Sequence, residues 1–535
     1  MRILLIIPPQ HGPFQPLLGV PSITAYLREK GHEVYQQDLN VEAFQYFLSP
    51  ERLKEAQADT KTIRDTKRAV RALRSPKTAS SPSEYFSAIS KIEKSLGLIS
   101  KNYYPARLSL GQNAQEKHSH FSSSGLLKAT IDASSNPFIE FFEKKALNRI
   151  LKLSPQIIGI SVSWKSNLFP AFTLARMIKN IAPGIHITMG GSYISALEEY
   201  LKRNRRLHKY IDSFVVYEGE ISVEKLAGAI KSQQKLSSVP NLIYMKEGKI
   251  FYNPPESIAL DRLPTPDYDG LPLKDYFSPF PVLPLLTSRG CYWGKCAFCS
   301  HNPNYKNLDQ RDVGLVIDDI KRLSRKHKTR CFLFNDSCMS PKRLEELSKR
   351  LIKNRLNIKC ICELRFERAL SLPLLKLMSK AGFDLLYFGL ESGCQRSQDK
   401  MEKGVRIATA EKILREAKKA NIKCDISSFI GFPGETKDEA VETFKFFSRN
   451  RRFINSMSVG VFQLTKNSRV YNAPTDYGIE KIHKNRGEDL CLSFRYCCKT
   501  GMSQEQARQL LCSSCVPKDI VSLYRGREHS MTAAC

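Results

Sequence analysis

Short apolar runs alternate with amphipathic stretches in two separate blocks of this chain, and that alternation restricts it to two α/β units on largely parallel sheets. The first block opens with RILLII (2–7), a buried-strand run stopped by Pro8 and Pro9. LLGVPSITAYLREKGHEV follows with apolar residues at helical spacing and Gly31 as its stop; EVYQQDLN then supplies a strand ending near Asp38. The pattern resumes at PQIIGISVSW (155–164), HITMGG (186–191) and SFVVYEGE (213–220), with helices at LARMIKNI, ALEEYLKR and VEKLAGAI. Between these halves, about residues 51–150 are rich in Lys, Arg and Ser without a strand run, and read as a helical or partly disordered insertion. We therefore expect residues 1–240 to form a doubly wound, Rossmann-like domain, followed by a proline-rich linker over 241–280.

The second block runs from VLPLLTS to INSMSVGVFQL and repeats strand and helix about six times. A partial (βα)6 TIM-type barrel over 281–475 fits it better than a full eight-unit barrel, with a small helical, cysteine-containing tail over 476–535.

Cysteine usage separates the two blocks. None of the 15 cysteines precedes Cys291. An odd count, with only five apolar residues before Pro8 and Pro9, argues against a secreted disulfide framework. No apolar run is long enough to span a bilayer. We expect a cytoplasmic protein with no membrane contact. The net charge of +30 (83 basic, 53 acidic side chains) suggests anionic partners, yet such an excess is ordinarily a solvated surface, and nucleic acid is not expected.

At the exit of the first barrel strand stands SRGCYWGKCAFCS, with Cys291, Cys296 and Cys299. Three thiols within nine residues form a soft-ligand claw for iron–sulfur or zinc. Zinc would need a fourth ligand, and His301 lies two residues on; three cysteines alone would leave one iron of a cubane open to substrate. In the first block, Gly159, Ser161, Ser163, Gly190, Gly191, Ser192, Gly219 and Glu220 lie at strand ends, where open α/β sheets bind ligands and where turns also favour such residues.

Cys291–Cys299, with Phe298 before the last cysteine, resembles the cluster loop of radical S-adenosylmethionine (SAM) enzymes. FLFNDS, ELRFERAL, YFGLESG, EKG and FIGFPGET follow in the order found in that superfamily. The upstream segments MRILLIIPPQ, GVPSITAYLREKGHEV, IIGISVSW, MGGSYIS, VVYEGE and LPTPDYD resemble the cobalamin-binding domain of one large branch. Two departures stand out. Four residues (Tyr292, Trp293, Gly294, Lys295) separate the first two cysteines where the branch has three, and QLTKNSRVY replaces a Pro-Gly-Thr turn after the sixth strand.

The resemblance implies a [4Fe-4S] cluster on Cys291, Cys296 and Cys299, with SAM chelated to its fourth iron. It implies SAM contacts from Phe298, Asp336, Arg365, Glu391, Ser392, Gly431 and Pro433, with Gly434 and Glu435 completing the fifth-strand turn. Cobalamin would lie against Gly159, Ser161, Ser163, Trp164, Gly190, Gly191, Ser192, Glu218, Gly219 and Glu220, without a histidine axial ligand, since neither His11 nor His32 stands in the usual signature. A degenerate domain that no longer binds it is the rival reading. Cys331, Cys360, Cys362 and Cys424 read as buried packing residues; Cys338 and Cys394 could approach the site. Cys491, Cys497, Cys498, Cys512 and Cys515 could hold a second cluster or zinc.

The expected activity is cobalamin-dependent C-methylation of an unactivated carbon in a peptide or natural product, acidic groups on it being favoured by the charge, with flavodoxin or ferredoxin as reductant. The alternatives are a radical rearrangement or cyclisation with or without cobalamin, and a non-catalytic cobalamin or iron–sulfur sensor. RNA methylthiotransferases carry three further cluster cysteines in their first domain, and this chain has none there.

Overall fold

The structure, a computed structural model, describes residues 1–79, 81–111, 117–119, 121–300, 308–485 and 487–512. It divides into two compact units: Met1–Pro281 with Arg486–Cys491, and Val282–Asn485 with Leu492–Cys535.

The first unit is built on one seven-stranded sheet. Its strands are β1 (Arg2–Ile7), β2 (Glu33–Asp38), β3 (Ile157–Ser161), β4 (His186–Gly190), β5 (Ser213–Val215), β6 (Leu242–Lys246) and β7 (Lys249–Tyr252), in the order β2-β1-β3-β4-β5-β6-β7. The first five are parallel, and β1 between β2 and β3 marks the topological switch point where such sheets receive ligands. Every residue of β1 after Arg2 is buried, as its unbroken apolar run requires. The stretch read as a linker is corrected here. LIYMK and KIFY form an antiparallel hairpin across Glu247 and Gly248, both at positive φ, and β6 pairs with β5, so the unit continues to Pro281.

The described part of the insertion is helical. Ser49, Asp59, Ser81, Ser122 and Asn136 each stand at a helix N-cap with the side chain accepting from a backbone N–H of the first turn. Serines in the stretch that suggested disorder thus cap helices, the longest being Pro82–Ser100.

In the second unit six parallel strands, β8 (Val282–Leu285), β11 (Cys331–Phe334), β12 (Lys359–Arg365), β13 (Phe383–Glu391), β14 (Lys423–Ile430) and β15 (Ser456–Val461), lie side by side in chain order. Two short strands, β9 (Ser288–Arg289) and β10 (Asp309–Gln310), pair antiparallel and close the root of the cysteine-bearing segment. The covering helices bury one stripe each: Val313, Val316, Ile317, Ile320 and Leu323 in Val313–His327, for example. Cys331, Cys360, Cys362 and Cys424 are buried strand residues, as expected. The tail differs from the helical expectation. With β16 (Leu464–Thr465), the strands β17 (Ile479–His483) and β18 (Ser493–Cys498) form an antiparallel sheet before the helix Gln504–Cys512. Among the described residues no helix is long and apolar enough to cross a membrane.

Candidate functional site

A cavity of about 460 Å³ opens at the carboxyl ends of the barrel strands. Cys291, Cys296, Cys299 and Phe298 line it from the loop after β8, joined by Cys338, Arg365 and Glu391 at or just beyond later strand ends and by Lys403 from the turn after the helix Gln395–Lys400. Burial pushes the Cys296 thiol up to about 11, with Lys403 pulling the other way and Cys299, Glu391 and Cys291 adding to the rise. A free thiol of this kind keeps its proton at neutral pH and surrenders it to a metal.

Lys403 and Glu391 form a charged pair in the cavity, Nζ to Oε1 2.8 Å, both side chains almost wholly buried. Burial opposes the ammonium charge of Lys403, but the Glu391 carboxylate and the Cys296 thiol outweigh it and hold its pKa above the ordinary value. The same Nζ lies 5.6 Å from the Phe298 ring. Glu391 enters the cavity from a register shift at the end of β13, at φ +66°, a conformation non-glycine residues rarely adopt. Gly389 leaves the pair its space: a Cβ there would stand 2.5 Å from Glu391 Oε1 and 2.9 Å from Lys403 Nζ.

The four-residue spacing between Cys291 and Cys296 has a physical account. Trp293 folds back, donates from Nε1 to the Glu402 carbonyl (2.9 Å), and stacks under the Arg365 guanidinium at 3.7 Å. Gly404, at φ +68°, admits the indole, since a Cβ would approach Trp293 Cζ2 to 2.3 Å. Arg365 in turn donates to the Lys403 and Gly404 carbonyls. The loop after β15 also holds the cysteine segment, through Val470 N–H to the Ala297 carbonyl and Arg469 Nη2 to the Lys295 carbonyl. The EKG triplet (402–404) therefore anchors the indole, supplies the cation and leaves the gap. Of these, sequence reading missed Lys403, whose motif was visible but whose partner lies twelve residues earlier.

Of the residues expected to contact SAM, Phe298, Arg365 and Glu391 line the cavity, whereas Asp336, Ser392, Gly431 and Pro433 do not. Asp336 is buried and accepts from Thr287 N–H (3.1 Å), Thr287 Oγ1 (3.0 Å) and Ser288 Oγ (2.6 Å). Burial raises its pKa to about 6 against those hydrogen bonds. These hydrogen bonds tie it to the root of the cysteine loop. Ser392 Oγ donates to Glu435, Gly431 N–H donates to the same carboxylate, and the Pro433 carbonyl accepts from Lys400. The fifth-strand turn is thus wound around Glu435, raised to about 7 by burial despite its hydrogen bonds, including those from Gly431, Ser397 and Ser392.

At the strand ends of the first unit, Ser161, Ser163, Gly190 and Gly191 are half-buried, and Trp164 and Ser192 are exposed. The loops after β3 and β4 are tied by Ser192 Oγ to the Ser163 carbonyl and by Val162 N–H to the Gly190 carbonyl. The remaining expected contacts point inward. Gly159 packs against Leu5, where a Cβ would come within 2.7 Å of Cδ2, and Gly219 backs onto Ile23. Glu218 accepts from Ile258 N–H and Glu220 from Ser22 Oγ. His11 is buried, and burial lowers it to about 3.

Cys394 lies off the cavity, 3.8 Å from Glu439 Oε1. His483 Nε2 lies 3.2 Å from Cys497 Sγ, but among the described residues no three His, Cys, Asp or Glu side chains converge on one point. Cys515 and His301 lie outside the described residues. A zinc site needs all its ligands about 2.3 Å from one ion. In a cluster each thiolate meets a different iron, so three thiols spread around one cavity suit that group better.

Residues 285–447 match the Radical SAM superfamily. The chain is 30% identical over 305 residues to an uncharacterized methyltransferase of Pyrococcus horikoshii (56% of this chain, 65% of the relative). It is 25% identical over 327 residues to the anaerobic magnesium-protoporphyrin IX monomethyl ester cyclase of Rubrivivax gelatinosus (59% and 57%). It thus spans less than two thirds of the length of these curated relatives. Among solved structures, the cobalamin-dependent S-adenosylmethionine radical enzyme OxsB, with aqua-cobalamin and S-adenosylmethionine bound, aligns with TM-score 0.62 at 15% identity, covering 96% of this chain and 66% of that one. The radical S-adenosylmethionine methyltransferase TsrM from Kitasatospora setae, with cobalamin and a [4Fe-4S] cluster bound, aligns with TM-score 0.58 at 13% identity, covering 99% and 90%. Residues 285–447 thus carry a Radical SAM domain, and the chain shares the fold of the cobalamin-dependent S-adenosylmethionine radical enzyme OxsB and of the radical S-adenosylmethionine methyltransferase TsrM.

Proposed function

We propose that this chain is a cobalamin-dependent radical SAM methyltransferase acting on an unactivated carbon of a small molecule or peptide that bears acidic groups. The observation that carries the reading is the barrel cavity, where three cysteines and a buried Lys403–Glu391 pair face one space. Cys291, Cys296 and Cys299 would hold the cluster, with Phe298 as an apolar wall. Lys403 and Glu391 offer a cation and a carboxylate to the zwitterionic end of SAM, and their burial strengthens both against water. In the first unit, the hydroxyls of Ser161, Ser163 and Ser192 and the exposed indole of Trp164 present hydrogen-bonding and apolar surface suited to a corrin edge. Once bound, these groups supply hydrogen abstraction from the substrate and a transferable methyl group.

The acidic substrate has support of its own. Arg365 also borders a second cavity of about 420 Å³, where Arg368, Arg406 and Lys412 outnumber the carboxylates of Glu367 and Glu416. Substrate binding should weaken steeply between low and high salt; salt-independent binding would remove the acidic-substrate reading. A flavodoxin or ferredoxin would serve as reductant.

Radical rearrangement or cyclisation is the second reading, favoured by the cyclase named among the relatives. Anaerobic reconstitution with iron, sulfide and cobalamin separates the two. Retained cobalamin, with deuterium passing from methyl-labelled SAM to product, supports methyl transfer. Protein that releases 5′-deoxyadenosine from SAM but retains no cobalamin supports the second reading.

A further inference from the structure

We propose that Cys338 is a fourth thiolate ligand of the cluster, occupying the iron left open by Cys291, Cys296 and Cys299 whenever SAM is absent. The inference rests on the cluster assignment above. Cys338 lines the same cavity, only 7% exposed, and its sulfur lies 3.9 Å from the Tyr292 hydroxyl, next to Cys291 in the claw. It arrives from a different strand end, the loop after β11, so the sequence spacing of the claw does not reveal it.

The position of Cys338 is built in. Asp336, two residues earlier, clamps Thr287 and Ser288 at the root of the cysteine loop. Met339 N–H, one residue later, donates to the Glu363 carbonyl on β12. Residues 336–339 are thereby pinned on one side to the root of the cysteine loop and on the other to Glu363, which lines the cavity. Lys403 and Arg365 provide two buried cations facing it, which offset the charge of an additional thiolate.

On binding, the Cys338 thiol releases its proton to solvent and its sulfur donates a lone pair to the open iron. When SAM takes that iron, the sulfur–iron bond breaks and the thiol recovers a proton. No electron is exchanged. The fourth iron is protected from loss, and SAM competes with an internal ligand.

The test compares reconstituted wild type with Cys338→Ala and Cys338→Ser by Mössbauer spectroscopy on iron-57 protein, without SAM. Wild type should show four sulfur-ligated irons; the variants should show one distinct iron and lose it faster to mild oxidant. SAM should bind the variants about tenfold tighter, the change expected if about one molecule in ten of the wild type is uncapped. Variants with wild-type spectra, iron retention and SAM affinity would overturn the proposal while leaving the three-cysteine assignment intact. Wild type that assembles no cluster would instead overturn the assignment on which it rests.

Discussion

The two α/β units finish their strands in opposite ways. The barrel brings thiols, an ammonium and a carboxylate from separate segments into one cavity. The first unit turns its strand-end carboxylates inward, Glu218 to Ile258 and Glu220 to Ser22, and leaves hydroxyls, backbone and the Trp164 indole outside. The difference teaches what each end can recognise. A cavity of buried charges holds an ionic cofactor by electrostatics, whereas an uncharged rim holds a large one by shape and hydrogen bonding.

The comparison breaks most visibly at Lys403. Replacing it with methionine leaves Glu391 buried and unpaired, and should destabilise the protein by about 3–5 kcal/mol in chemical denaturation. A second replacement, Glu391→Gln, should recover part of that loss. Recovery of nothing would mean that the pair is not coupled.

Glu435 is expected to make the fold pH-dependent. Its pKa is about 7 in the folded protein, above the ordinary carboxyl value of 4.5. The folded state therefore binds the proton more tightly, and the contribution of this group is greatest below pH 4.5 and declines as pH rises to 7. The decline amounts to about 3 kcal/mol. Denaturation at pH 5 and pH 8 should show Glu435→Gln with a smaller drop than wild type; equal drops would exclude Glu435 as the source.

Gly404→Ala forces a Cβ into Trp293 at a position of positive φ, and a loss of about 2 kcal/mol is expected. Adding Trp293→Ala should relieve the clash but not the backbone strain. On the other side of the comparison, Trp164→Ala should change stability by less than about 0.5 kcal/mol because the indole is 43% exposed. It should nevertheless reduce cobalamin retained after gel filtration; unchanged retention would remove Trp164 from the proposed rim.

What the sequence disclosed follows from how local each signal is. The cysteine claw and Phe298 lie within nine residues, so spacing alone exposes them. The six barrel strands were legible from a similarly local signal, short apolar-rich segments alternating with amphipathic helices. Asp336 and Ser392 could not be placed from sequence, because a polar residue at a strand end can face a ligand or lock its own loop, and only tertiary partners decide. Lys403 and Cys338 gain their meaning from residues on other strands. The β6–β7 hairpin was hidden by the prolines around it, although two apolar runs flanking Glu247 and Gly248 carried its signature.

The central claim is that Cys291, Cys296 and Cys299 hold a [4Fe-4S] cluster in the barrel cavity. Iron and sulfide content, with the paramagnetic resonance spectrum of the dithionite-reduced state, tests it most directly in wild type and Cys296→Ala reconstituted side by side. Wild type should carry four irons and four sulfides per chain and a reduced-cluster signal that SAM perturbs, and Cys296→Ala should lose most of both. A Cys296→Ala protein that keeps its full cluster and the same SAM-sensitive signal would contradict the account.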